Sequence, residues 1–116
     1  MARKINDLKI EGKVVSEVQL RKSKTDISVV DFRLMHKNLR ARNPVFVDIE
    51  VWGREAERTA EFIKRGYIIL VYGELRQDVW EKNGEPRSKL KITAQKVMLL
   101  TDIKQSSFNE EEIGSF

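Results

Sequence analysis

No cysteine occurs in the 116 residues, and histidine occurs once, as His36. The first absence excludes disulfide scaffolds, thiol catalysis and cysteine-ligated zinc, and the second excludes metal sites built on two or three histidines. Long apolar runs are missing too. The longest, Tyr67 to Tyr72, is six residues, far short of the roughly 20 that a spanning helix needs. The opening Met1-Ala2-Arg3-Lys4-Ile5-Asn6-Asp7 has two basic residues but no apolar stretch behind them, so no targeting segment is expected and the chain reads as soluble and cytoplasmic. Neither a nucleophile with its base, nor a glycine-rich phosphate loop, nor a metal-ligand spacing is present, so no catalytic activity, cofactor or metal is expected.

Length allows one ordinary domain. Lys and Arg total 22 against 18 Asp and Glu, a formal net charge of +4 that permits a nucleic-acid partner without demanding one. The charge is unevenly spread. From Asp102 onward four acids face one base, which leaves 21 bases against 14 acids in residues 1–101. The reading is a basic domain over 1–101 followed by a short, flexible acidic tail over 102–116, too polar to bury itself.

Period-two alternation dominates the body. Leu8 and Ile10 mark a half-buried first strand that bends or bulges at Gly12, and Val30, Phe32 and Leu34 mark a second. Val45, Val47, Ile49 and Val51 give a third strand with four β-branched residues pointing one way. The turn-forming and basic segment 38–44 joins the second and third as a hairpin. After Gly53 the spacing of Ala56, Thr59 or Ala60, and Ile63 predicts a helix of about three turns, with Glu55 and Glu57 early, Lys64 and Arg65 late and Gly66 as its cap. The run 67–72 predicts a strand covered on both sides, with a bulge at Gly73. An extended stretch to Trp80, a turn at Asn83-Gly84-Glu85-Pro86 and a last strand through Leu90, Ile92, Ala94 and Val97 follow. The fold class is all-β: a five-stranded barrel of the oligonucleotide/oligosaccharide-binding (OB) kind, with one helix between strands three and four and long β-hairpin arms.

Alternation also places Phe46 and Trp52 on the wet side of the third strand, and Trp80 on the arm beyond Gly73. Bases share these faces: Arg33 and Lys37 on the second strand, Arg40 and Arg42 in the hairpin, Arg54 beside Trp52, and Arg76, Lys82 and Arg87 around Trp80. Flat rings interleaved with cations suit single-stranded nucleic acid, whose bases stack while its phosphates follow a basic track. Other readings stay open. Phe46 or Trp52 fits a subunit interface equally in kind, Trp80 fits a cross-strand pair that stiffens an arm, and scattered bases fit a solvated surface. Asp31, Asp48 and Glu50 share the wet face; pairing with Arg33 or Lys37 accounts for them better than a divalent ion held for strand cleavage.

In order and spacing, Asn6 to Gly12, Phe46 to Gly53 with Ala56-Glu57, Ile63 to Gly66, Val71 to Arg76, and Trp80 together resemble the bacterial and mitochondrial single-stranded DNA-binding proteins over about residues 5 to 100. The resemblance implies base stacking by Phe46, Trp52 and Trp80, and basic contacts at Arg54, Arg65 and Arg76. It further implies a homotetramer that coats single-stranded DNA in replication, recombination and repair, and a nucleoid-associated location in the cytoplasm. Glu110-Glu111-Glu112-Ile113-Gly114-Ser115-Phe116 looks like that family's acidic tip, which docks replication and repair partners through a terminal Phe. Arg40 stands where many members carry a further tryptophan, Gly114-Ser115 alters the spacing before the last ring, and the linker is short. A dimeric primosomal relative of the same fold, acting mainly as a protein-docking adaptor, is the alternative.

Overall fold

The computed structural model describes residues 4–38, 40 and 42–101. In chain order these form β1 (Leu8–Val14), β2 (Gln19–Lys22), β3 (Ser28–His36), β4 (Val45–Trp52), α1 (Arg54–Phe62), β5 (Ile68–Lys82) and β6 (Glu85–Thr101). The strands make one sheet in the order β1-β5-β6-β4-β3-β2, and a further pairing of β1 with β3 closes it on itself. All pairs are antiparallel except β4 with β6, which run parallel over Asp48–Val51 and Lys91–Ala94. β1 and β2 follow one another along β3, through Lys13↔Met35 and Val14↔Leu34 and then Gln19↔Asp31 to Lys22↔Ser28, so together they act as one bent first strand. The result is a five-stranded OB-fold barrel with its helix between the third and fourth strands in that count.

Inward positions are apolar and mostly β-branched: Val14, Val30, Leu34, Ile49, Val51, Ile69 and Val71 are essentially inaccessible, and Ala56 and Ile63 from the helical segment join the same cluster. Each such side chain contributes about 1.5–3 kcal/mol of burial. α1 is pinned over the barrel by its first-turn acids. Glu55 Oε2 accepts the Val97 backbone N–H at 2.9 Å and Arg58 Nη2 at 2.6 Å, and Glu57 accepts the Ser28 hydroxyl at 2.8 Å.

Several expectations need correction. Gly12 does not bulge β1: it pairs in register with Ile69, just before β1 passes from β5 to β3, and glycine is required there because a Cβ would stand 2.4 Å from the Met35 carbonyl oxygen. The short β2 was not foreseen. Gly66 does not cap α1: the chain turns extended at Ile63 (φ −106, ψ 132), so Lys64 and Arg65 lie beyond the helix, and Gly66 sits in the turn into β5, donating to Val14 O at 2.8 Å. The run 67–72 is covered on one side only, with Ile69 and Val71 buried while Ile68, Leu70 and Tyr72 remain partly accessible. Val45 is half exposed and Val47 only partly buried, because the first residues of β4 run past the end of the barrel. The turn of the arm is two residues long, Asn83 at φ 53 and Gly84 at φ 79, a twist-matched type I′ hairpin; Glu85 and Pro86 already belong to β6. At Gly73 the ladder does shift register, as expected of a bulge.

Candidate functional site

Beyond Gly73, β5 and β6 leave the barrel as a long two-stranded arm, of which only Lys91–Ala94 touch β4 in the ladder. Its root is tied down by Asn6, whose side-chain amide donates to Leu75 O and accepts from Leu75 N, both at 2.9 Å. Alternation on β4 turns Phe46, Asp48, Glu50 and Trp52 outward, and their cross-strand partners on β3 are Met35, Arg33, Asp31 and Val29. On the arm, Arg76, Asp78 and Trp80 share a side with their partners Lys91, Lys89 and Arg87. Lys91 joins the two surfaces, its ammonium lying 3.0 Å from Glu50 Oε2 and 3.0 Å from Asp78 Oδ2. One continuous outer face therefore runs from β2 across β3 and β4 to the arm.

The three aromatics stand on this face with much of their surface in water: Phe46 is 48% exposed, Trp52 41% and Trp80 45%. Arg33 lies 5.4 Å from the centre of the Phe46 ring, a cation–π distance. The Trp52 indole N–H donates to Glu50 Oε1 at 2.7 Å. Trp80 stands opposite Arg87 on the arm.

Between the aromatics the face is a lattice of ion pairs. Arg21 bonds Asp31 at 2.7 Å and approaches Glu50 at 3.8 Å; Arg33 lies 3.3 Å from Asp48; Lys89 also pairs with Asp48. Four carboxylates are thus matched by four cations over a cleft of about 670 Å³. Burial alone lowers the Lys91 pKa, but hydrogen bonds to Asp78 and Glu50 and their negative charge outweigh it and hold the ammonium above the ordinary lysine range. The hydrogen bond to Asp31 likewise raises Arg21, against a smaller burial cost. The expected partner of the wet-face acids, Arg33, does pair with Asp48, whereas Asp31 and Glu50 find Arg21 and Lys91 instead.

The remaining basic positions divide into two groups. Lys37, Arg40, Arg42, Arg54, Arg76 and Lys82 hold no ion pair among the described residues, and they surround the lattice at the β3–β4 connection, the start of α1 and the arm. Arg65 lies 4.0 Å from Glu17, and Arg87 3.6 Å from Glu85, both at exposed ends. Glu110, Glu111, Glu112, Ile113 and Phe116 lie outside the described residues. Sequence reading missed Arg21, Lys89 and Lys91. Lys89 and Lys91 occupy the parity opposite Leu90 and Ile92, so the same alternation would have found them; Arg21 sits on a strand whose only apolar residue, Leu20, gives no period to detect.

The profile of the family described as "Single-strand binding protein family" matches residues 5–100. Among curated relatives, the single-stranded DNA-binding protein of Aquifex aeolicus is 31% identical over 116 residues, covering 93% of this chain and 78% of the relative. That of Treponema pallidum is 39% identical over 71 residues, covering 61% of this chain and 40% of the relative. The crystal structure of the wild-type single-stranded DNA binding protein from Thermus aquaticus superposes with a TM-score of 0.75 at 23% identity, over 89% of this chain and 53% of that one, a likeness of fold. The chain thus spans well under two thirds of two of these three proteins. No helix among the described residues is long and apolar enough to cross a membrane.

Proposed function

The chain belongs to the single-strand binding protein family, and from that membership we propose that it binds single-stranded DNA irrespective of sequence, coating and protecting it in replication, recombination and repair. The observation that carries the reading is the outer face itself, on which three half-exposed aromatic rings stand with unpaired cations around them. Phe46, Trp52 and Trp80 are the stacking residues, each worth roughly 1–3 kcal/mol per base. Lys37, Arg40, Arg42, Arg54, Arg65, Arg76, Lys82 and Arg87 are the phosphate contacts, joined by Arg33 where a phosphate displaces Asp48 from it. Duplex DNA hides its base faces, so a protein of this kind removes hairpins without ATP by differential affinity for the open strand. Binding, with no catalytic step, is the whole activity.

Assembly as a homotetramer is part of the same reading. Its support is the outer side of the β1–β5–β6 wall, where Leu70 and Tyr72 stand beside Met98 and Lys96 and are only partly covered by their own chain, while the Leu8–Gly12 edge of β1 pairs only with β5. Recruitment of replication and repair proteins is assigned to Glu110, Glu111, Glu112, Ile113 and Phe116, on the strength of an acidic run ending in an aromatic ring. A second reading, a dimeric adaptor with modest affinity for DNA, draws on the four carboxylates between the aromatics, which occupy four cations and leave the centre of the face without free charge for phosphate.

Titration of intrinsic tryptophan emission with oligothymidine, on protein whose solution mass is measured in parallel, tests both. Quenching with a retained complex at low salt and a tetrameric mass is the expected result. Unchanged emission with no complex overturns the first reading, and a stable dimer with weak binding selects the second.

A further inference from the structure

Glu50 occupies the middle of the outer face and is saturated there. Its Oε1 accepts the Trp52 indole N–H at 2.7 Å and Lys91 Nζ at 3.0 Å; its Oε2 accepts Lys91 again at 3.0 Å and faces Arg21 Nη2 at 3.8 Å. The carboxylate side chain is only 12% exposed, although it lies on the wet side of the strand. Glu50 and Trp52 are two residues apart on β4 and so project from the same face. The indole N–H is that ring's single polar atom, and holding it fixes the ring by its edge while leaving much of the ring in water. Trp80 supplies the contrast within one molecule: among the described residues its indole N–H has no partner.

We propose that Glu50 is a positioning residue, which holds the Trp52 ring in the attitude that receives a base and at the same time, together with Asp31 and Asp78, withdraws Lys91 and Arg21 from contact with phosphate. The proposal rests on the reading of Trp52 as a stacking residue. A platform already held in place loses less rotamer entropy when a base arrives. The two cations meanwhile spend their charge on carboxylates, so the centre of the face is selective for bases and phosphate is drawn to the rim, where the unpaired arginines and lysines stand.

The two roles separate by salt. Glu50→Ala removes both, whereas Glu50→Gln keeps an acceptor for the indole and removes only the charge. Both are made in a Trp80→Phe background, so that Trp52 is the sole emitter. Without DNA, near-ultraviolet circular dichroism and time-resolved anisotropy are expected to show a freer indole in the Ala variant and an unchanged one in the Gln variant. With oligothymidine, removing one carboxylate leaves one positive charge of the lattice unmatched, which steepens the salt slope by about 0.7 in either variant. Near about 1 M salt, where charge is screened, the Ala variant is expected to bind about five-fold more weakly than its parent, the size of ordering one free side chain, while the Gln variant matches the parent. The Ala and parent lines therefore cross.

An Ala variant with unchanged indole motion, or with a salt line parallel to the parent's, overturns the proposal. Should Glu50→Ala fail to fold, Glu50→Met fills the space without an acceptor and carries the same expectations. If the Trp80→Phe parent and the unaltered protein both bind no DNA, the functional reading fails, and the indole measurements alone still decide whether Glu50 holds the ring.

Discussion

The Arg33 guanidinium lies 5.4 Å from the centre of the Phe46 ring and, through Nη1, 3.3 Å from Asp48 Oδ1. Asp48 fixes the cation, and the cation sits on the ring, so the ring keeps its place while nearly half of it faces water. Phe46→Ala is expected to cost about 1–3 kcal/mol of oligothymidine affinity, or roughly 5- to 150-fold, with the loss persisting at high salt. Both tryptophans remain in this variant, so their emission reports the titration. Wild-type affinity at every salt concentration would remove Phe46 from the stacking set.

Charge at the rim and charge in the lattice are expected to behave differently. Arg54 and Arg76 hold no carboxylate among the described residues, whereas Arg21 is bonded to Asp31. Replacing Arg54 and Arg76 together by Gln is expected to flatten the logarithmic salt dependence by about 1.4, from two phosphate contacts. Arg21→Gln leaves the slope nearly as it was, because its charge is already matched. A salt series on the two variants checks this, and equal slopes would refute the division.

Acid sensitivity has a local origin at Glu55. Burial acts to raise its pKa, but hydrogen bonds from Arg58 and from the Val97 N–H, with the positive charge of Arg58 and Lys96, prevail and leave it below the ordinary 4.5. A carboxyl depressed in the folded state adds stability above its unfolded pKa and loses it as pH falls through the folded value. The melting temperature of Glu55→Gln is therefore expected to lie below wild type at neutral pH, with the gap closing once pH has dropped below the depressed value. Melting curves from pH 7 downward provide the check; a gap independent of pH would place the effect elsewhere.

Gly12 is a matter of space. An added Cβ would stand 2.4 Å from Met35 O and 2.8 Å from Leu34 Cγ, where β1 passes from β5 to β3. Gly12→Ala is expected to destabilise by about 1–3 kcal/mol through overpacking, lowering Tm by roughly 5–20 °C. Thermal unfolding measures it, and an unchanged Tm would mean that the barrel closes more loosely than these distances imply.

The legible parts of this fold were those with a period. Ile49 and Val51 against Glu50 and Trp52 announce both the strand and its two faces, and Asn83-Gly84 announces the hairpin. β2 was illegible because Gln19, Arg21 and Lys22 surround a single apolar residue, and its pairing is dictated by β3 rather than by its own pattern. The helix end was misjudged because Gly66 has the residue type of a cap while Ile63, drawn into the core, turns the chain three residues sooner. Among candidate site residues, the exposure of Phe46, Trp52 and Trp80 could be read from parity, but which cations were already spent on carboxylates could not. That depends on β2 and β6 lying on either side of β3 and β4, a long-range fact.

The arm has one further consequence. Past Leu90 it has no neighbour in the ladder but its own second strand, and Leu75, Val79 and Leu90 on its other side are open to water. An isolated two-stranded ribbon is only marginally stable in water. Trp80 therefore rides on a compliant spar moored at Asn6 and Lys91, while Trp52 is bolted to the cylinder. On the proposed reading of both indoles as base platforms, the span between them varies with bending of the ribbon, and one chain would follow polymers of differing curvature without rebuilding its centre.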